Sequence, residues 1–353
     1  MKKLPVTDLT AGMITGDNVI SPMGQLILKK GQTISEFDIA KFGFYNIPEI
    51  IIDDTSAMSD GYSNTKFPSR ELKLAHIKEK YHESLNILEK NLNDIILRTV
   101  EPDEAFLIED AVYLFERMDT SYELFNVMHE LQKTDTTTMA HSMNVSILCR
   151  LIGVWADFDS TTIDMLTMAG LLHDIGKLRI PEEILCKPGK LTADEFEIVK
   201  NHTLLGYETL KDYNIPTQIK YGALLHHEKF DGSGYPFGYS ADHIDDITGI
   251  LTIADVYDAM TAKRCYHEAM CPFDVLADFE YDGINKYHPK YINMFLSKIA
   301  NTYIGSDVIL SNDDKAKIIY VTDKYSRPTV SLLSDGSIVA LKDYPDLKIM
   351  SII

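Results

Sequence analysis

From residue 70 to about 133, apolar residues recur every three or four positions among many charges. The stretch "LKLAHIKEKYHESLNILEKNLNDIIL" keeps that spacing over several turns and predicts amphipathic helices, and a second helical stretch follows Pro102. Such faces are satisfied by packing on one another or by pairing between two copies of the chain, so a homodimer is one arrangement the pattern allows. The first 54 residues have a different rhythm. "MGQLILKKGQTIS" reads as a strand closed at Gly31, "IPEIIIDD" as a β-rich run after Pro48, and "ISEFDIAKFG" between them as a short helix from Ser35 to Gly43. Residues 55–69 are polar, contain Gly and Ser, and close on Pro68 and Ser69, which marks a linker.

Residues 134–304 are mainly helical in pattern. Thr192 and Glu195 form a capping box that opens "ADEFEIVKNHTLLGYETL", and "TTIDMLTMAGLLHDIG" is a helix capped by Ser160 or Thr161 and stopped near Gly176. After residue 305, alternation returns in "AKIIYVTD", "PTVSLLS" and "SIVALKD", which predicts a small antiparallel sheet. The expected organisation is a small N-terminal domain (1–54), a linker (55–69), a helical connector (70–133), a helical domain (134–304) and a short β segment (305–353). There is no internal repeat.

Composition narrows the function. At 353 residues and 45% hydrophobic content the chain suits two or three ordinary domains. No run approaches the ~18 apolar residues of a membrane span, and "MKKLPVTDLTAGM" lacks the apolar core of a signal peptide. No membrane association is expected, and the cytoplasm is the expected location. The four cysteines form no CxxC pair and suggest neither a disulfide framework nor a thiolate metal site. A net charge of −19 excludes general affinity for polymeric nucleic acid, which rests on many cationic contacts with phosphate. A small anion can still bind where the site makes its own positive charge, as a metal cluster does.

The histidines point to such a site. Five of the eleven, His141, His173, His202, His226 and His227, fall in one quarter of the chain. His141 shares a helical face with Val145, Leu148 and Ile152, His202 shares one with Ile198 and Leu205, and His226 follows Gly222 and Ala223 by a turn. One histidine on an apolar face is an ordinary hydrogen-bonded core residue. Five, joined by Asp174 and by Asp255 in "ILTIADVYDAM", are costly to bury unless they share a partner. Imidazole and carboxylate without thiolate favour first-row transition ions, and seven groups exceed the four of a closed zinc site. Two metals with open positions fit better.

The motifs "HDIGK" (173–177), "KNH" (200–202), "HHE" (226–228), "DGSGYP" (231–236) and "ADVYDAM" (254–260) come in the order and approximate spacing of the HD-GYP family, and over residues 135–270 the chain resembles it. "HDIGK" alone would mark only the wider HD superfamily; the "HHE…DGSGYP" block narrows it. The resemblance implies a mainly α fold, the helical bundle of the HD superfamily, here with a small N-terminal α+β domain, a helical connector and the C-terminal β segment. It implies hydrolysis of cyclic di-GMP to linear pGpG, with GMP as the product of a second cut, by attack on phosphorus of a hydroxide bridging two metals. His141, His173, Asp174 and Asp255 would hold one metal and His202, His226 and His227 the second, with Asp174 bridging. Iron or manganese is the expected metal, with zinc, nickel and cobalt also compatible. Lys177 would neutralise a phosphate oxygen beside Asp174. Gly234, Tyr235 and Pro236 would face the substrate, Arg264 would grip phosphate with its fork, His267 would stand where a basic residue is usual, and Asp258 would orient a ligand or Lys177.

This sequence departs from the family pattern at Thr137, where some members carry a glutamate for a third metal, so two metals are expected. It departs also at Cys265 and His267, which replace a proline and a basic residue, and at Gly249, where an arginine is common. These changes leave the substrate open to a second cyclic dinucleotide, cyclic GMP-AMP. Two further readings are a receptor that binds the dinucleotide without cutting it and a purely structural helical protein. The first is disfavoured because no ligand is missing, and the second predicts no bound metal.

Overall fold

The 70–96 periodicity becomes one long helix in the computed structural model, α1 (Arg70–Ile96), whose buried stripe runs through Ile77, Tyr81, Leu85, Leu88, Leu92 and Ile95. The structure describes residues 2–6, 9–10, 12–20, 26–34, 38–39, 42, 47–53, 70–118, 120–132, 135, 137–187, 189–262 and 269–353. It divides into two compact units, Met1–Ser69 and Arg70–Ile353.

In the first unit β1 (Lys2–Pro5) pairs antiparallel with β4 (Glu49–Ile52), Lys2 opposite Ile52, and β2 (Val19–Ile20) pairs with β3 (Leu26–Leu28). Leu9, Val19, Ile34, Phe42, Ile47, Ile50 and Ile52 form its core. Most of the short helix expected from Ser35 to Gly43 and the whole linker lie outside the described residues.

In the second unit α1 is followed by α2 (Glu104–Glu116), α3 (Ser121–Gln132), α4 (Thr138–Trp155) and α5 (Ser160–Leu172). The helix before "HDIGK" is capped by Asp159, which accepts from Thr162 N, and not by Ser160 or Thr161. It also ends at Leu172, before the expected stop at Gly176, because the chain tightens there into a 3₁₀ turn over Ile175–Arg179. The short α6 (Glu182–Leu185) leads to α7 (Ala193–Lys200), which opens on the expected Thr192–Glu195 capping box.

The single helix expected over 193–210 is two. α7 ends at Lys200, and α8 (His202–Leu210) restarts after Asn201, whose side chain makes no capping bond. His202 is therefore buried while Ile198, on the preceding helix, is exposed, so the two do not share a face. α9 (Thr217–Leu225), α10 (Asp246–Thr261), α11 (Pro272–Asp278), α12 (Ile284–Lys286) and α13 (Pro289–Thr302) complete the helices.

The C-terminal alternation gives an antiparallel sheet of five strands: β5 (Asp307–Leu310), β6 (Lys315–Tyr320), β7 (Thr329–Leu332), β8 (Ile338–Ala340) and β9 (Ile349–Ile352), ordered β8-β7-β6-β5-β9. On β6 Ala316 and Ile318 turn inward between exposed lysines, the period-two pattern of a half-buried strand. Glu280 accepts from the backbone of Tyr325 and from Ser326 and ties this sheet to the helices. One apolar core runs from Ile77 to Ile349 across helices and sheet. Among the described residues no helix is long and apolar enough to cross a membrane.

Candidate metal centre

The centre is built mostly from helix ends, with two carboxylates from within one helix. His173 caps α5 and Asp174 starts the 3₁₀ turn that carries Lys177. His202 opens α8, His226 caps α9 with His227 next in line, Asp255 and Asp258 lie one turn apart on α10, and His141 stands in the first turn of α4. Near helix C-termini, backbone carbonyls run short of intrahelical donors. Three histidines use them. His173 Nδ1 donates to Gly170 O at 2.8 Å, His202 Nδ1 to Val199 O at 2.7 Å and His226 Nδ1 to Gly222 O at 3.0 Å. A carbonyl only accepts, so the proton sits on Nδ1 and each neutral ring turns a bare Nε2 inward.

These nitrogens converge on the carboxylate of Asp174. Its Oδ2 lies 3.2 Å from His173 Nε2, 3.6 Å from His141 Nε2 and 2.5 Å from Lys177 Nζ. Its Oδ1 lies 3.4 Å from His202 Nε2 and 3.7 Å from His226 Nε2. Three ligand sets follow: His141, His173 and Asp255 bring one atom each within 4.8 Å of one another, as do His202, His226 and His227, and His173, Asp174 and His226 form a third that links the two. All are buried except His227, which is partly exposed.

Without a cation several of these contacts are unfavourable. His202 Nε2 and His226 Nε2 face each other at 3.2 Å, each ring having already placed its proton on Nδ1. His141 turns Nδ1 to Asp258 Oδ2 at 2.7 Å and Nε2 to Asp255 Oδ1 at 3.0 Å, although a neutral ring has one proton to offer. His173 Nε2 and Asp174 Oδ1 are buried with no hydrogen-bond partner among the described residues.

Extra protons do not resolve this at His202 or His227. Burial pushes His202 down to about 3 against the pull of Asp174, and burial together with the neighbouring His226 holds His227 well below the usual histidine range. The carboxylates stay ionised. Burial opposes this at Asp174, but His173 and Lys177 outweigh it; at Asp255 the hydrogen bond from His141 and the neighbouring His227, His141 and His173 do the same. Bare imidazole nitrogens around shared carboxylate oxygens are a donor set for divalent transition cations.

Local packing fixes these positions. Gly176 lies so close to α8 that a Cβ there would fall 1.9 Å from His202 O. Asp258 contacts His141, one of its two expected partners. Gln132 at the end of α3 donates to the other oxygen of Asp258. Thr137 is occupied as the cap of α4, accepting from Ala140 N and donating to Asp135, so the position of a third-metal glutamate offers no carboxylate. Gly249 packs against the ring of His288.

On the open side, Tyr235 stacks on His227 with ring centroids 4.6 Å apart, beside Phe196 and the ammonium of Lys200. The loop bearing it is held by Glu228, a buried carboxylate that accepts from the backbone N–H of Phe237, Gly238 and Tyr239 at 2.7, 3.1 and 3.0 Å. Gly234 has no room for a side chain, since a Cβ would meet Glu228 Cα at 2.4 Å. Pro236 is half-buried in the same loop. Arg264, Cys265 and His267 lie outside the described residues. Glu228 was visible in the sequence only as the last letter of "HHE", and nothing there singled out Gln132.

Residues 123–290 match the family model of the HD domain. A cyclic di-GMP phosphodiesterase of Thermotoga maritima is 33% identical over 230 residues, covering 64% of this chain and 61% of that protein. A 3′3′-cGAMP-specific phosphodiesterase of Vibrio cholerae is 31% identical over 219 residues, covering 61% of this chain and 41% of that protein. The chain thus spans less than two thirds of either relative. Among solved structures, an HDG"Y"P protein of Bdellovibrio bacteriovorus, Bd1817, overlays with a TM-score of 0.46 at 14% identity, covering 84% of this chain and 99% of that one. Residues 123–290 match the HD domain, and over them the chain resembles the HD-GYP family.

Proposed function

We propose that the chain is a phosphodiesterase that hydrolyses cyclic di-GMP to pGpG, and by a second cut to GMP, at a pair of divalent transition cations. The observation that carries this is the division of Asp174: one oxygen faces His141 and His173, the other faces His202 and His226. His141, His173 and Asp255 would hold one cation, His202, His226 and His227 the other, and Asp174 both. Such ions supply Lewis-acid charge at a phosphodiester and activate water. Iron or manganese suits the donors.

The chain's own residues supply the rest. Lys177 keeps its ammonium against Asp174, where it adds positive charge beside a phosphoryl oxygen. The Tyr235 ring, braced on His227, offers a flat face to a guanine, and the tight turn at Gly234 and Pro236 brings that ring to the centre. Arg264 and His267, carried over from the family motif, would complete the phosphate contacts. The helical connector would serve for pairing of two copies.

A second reading, hydrolysis of cyclic GMP-AMP, is favoured by the likeness to the Vibrio protein. The test is anaerobic purification with metal content measured beside turnover on a panel of cyclic dinucleotides. About two metals per chain and preferred cleavage of cyclic di-GMP are expected, with both lost in Asp174→Ala. Preference for cyclic GMP-AMP would select the second reading; turnover without metal would defeat both.

A further inference from the structure

His141 differs from the other inward-facing histidines. His173, His202 and His226 fix their rings on carbonyls at helix C-termini, but His141 lies in the first turn of α4, where the groups left over are N–H donors. Its Nδ1–H needs an acceptor from another element, and Asp258 Oδ2 provides it at 2.7 Å. Asp258 is itself held from the far side. Gln132, buried as the last residue of α3, donates its Nε2–H to Asp258 Oδ1 at 2.7 Å. A carboxylate only accepts, so this contact decides which way the amide faces. Gln132 Oε1 is buried with no hydrogen-bond partner among the described residues, so the amide serves through its donor half.

We propose that Gln132 is a positioning residue for one cation subsite: by fixing Asp258 it holds His141 with its Nε2 lone pair toward Asp255 and Asp174. This rests on the reading of the centre as two cation sites. It brings α3, which carries none of the seven ligands, into control of the His141–His173–Asp255 subsite. The His202–His226–His227 subsite, where backbone carbonyls fix His202 and His226 and Tyr235 stacks on His227, does not depend on it. A partner behind a metal-binding histidine typically governs affinity by about 10–100-fold.

The test titrates Mn²⁺ into the metal-free full-length chain and into Gln132→Met, which keeps the side-chain volume and removes the donor, with free manganese read by electron paramagnetic resonance. The wild type is expected to bind two ions. Gln132→Met should bind one with unchanged affinity and one more weakly by about 10–100-fold, and Asp258→Asn should weaken the same one. Gln132→Asn, which draws the amide back by a methylene, is the second variant should Gln132→Met fold poorly, and it should weaken that ion by a smaller factor. Unchanged affinities, or both falling together as in general loosening, overturn the inference. A wild type that binds no manganese overturns the two-cation reading itself, and this inference with it.

Discussion

Gly176 and His202 touch backbone to backbone: a Cβ on Gly176 would sit 1.9 Å from the carbonyl oxygen of His202 and 2.5 Å from Gly206 N. The glycine of "HDIGK" is thus the floor on which α8 starts, and it sets how close His202 comes to Asp174. Gly176→Ala must push α8 away. Overpacking of this kind costs about 1–3 kcal/mol. The expected outcome is a lower melting temperature and metal content falling toward one ion per chain, read by thermal denaturation and elemental analysis. Full stability with two ions retained would contradict this role.

Glu228 is a loop anchor, not a ligand. Its carboxylate accepts three consecutive backbone N–H groups. Glu228→Ala strips those acceptors, and a hydrogen bond to a charged group is worth about 1.5–3 kcal/mol. The Tyr235 loop should loosen while the ligand sets stay intact. The expected result is a rise in KM of about tenfold or more with unchanged metal content, measured by steady-state kinetics and elemental analysis.

On the proposed reading Tyr235 acts through its ring. Stacking of a base on an aromatic face is worth about 1–3 kcal/mol. Tyr235→Phe should bind a non-hydrolysed cyclic di-GMP analogue nearly as well as wild type, while Tyr235→Ala should lose about 5–100-fold in affinity by calorimetry. Equal losses would show that the hydroxyl, not the ring, carries the contact.

The buried histidines make the metal-free chain acid-sensitive. Burial holds His202 at about 3 in the folded protein, against about 6.5 unfolded. As pH falls below that unfolded value, the unfolded chain takes up a proton that the folded chain refuses, so stability is full above pH 6.5 and declines down to about 3. Between pH 7 and 5 His202 accounts for on the order of 2 kcal/mol of that loss. Denaturant midpoints of the metal-free protein should fall over this range, and more steeply than those of His202→Gln, which cannot titrate. Parallel slopes would contradict the shift.

The proposed ligands were legible in the sequence because metal coordination accepts few residue types, and seven such residues recur in one order; the structure brings all seven side chains together. Of the supports, Asp258 was legible and the rest were not. Gln132 is an ordinary polar residue at a helix end, and only the approach of α3 to α10 gives its amide a partner. The break at Asn201 was hidden because the apolar spacing continues across it and no capping bond marks it. Asp159 was overlooked as a cap beside Ser160 and Thr161, although its carboxylate is the group that reaches Thr162 N.

Anomalous diffraction from crystals of the manganese- or iron-loaded chain measures the central claim most directly. Two peaks are predicted, about 3.5–4 Å apart, one on each side of the Asp174 carboxylate. A single peak, or none among the seven side chains, would contradict it.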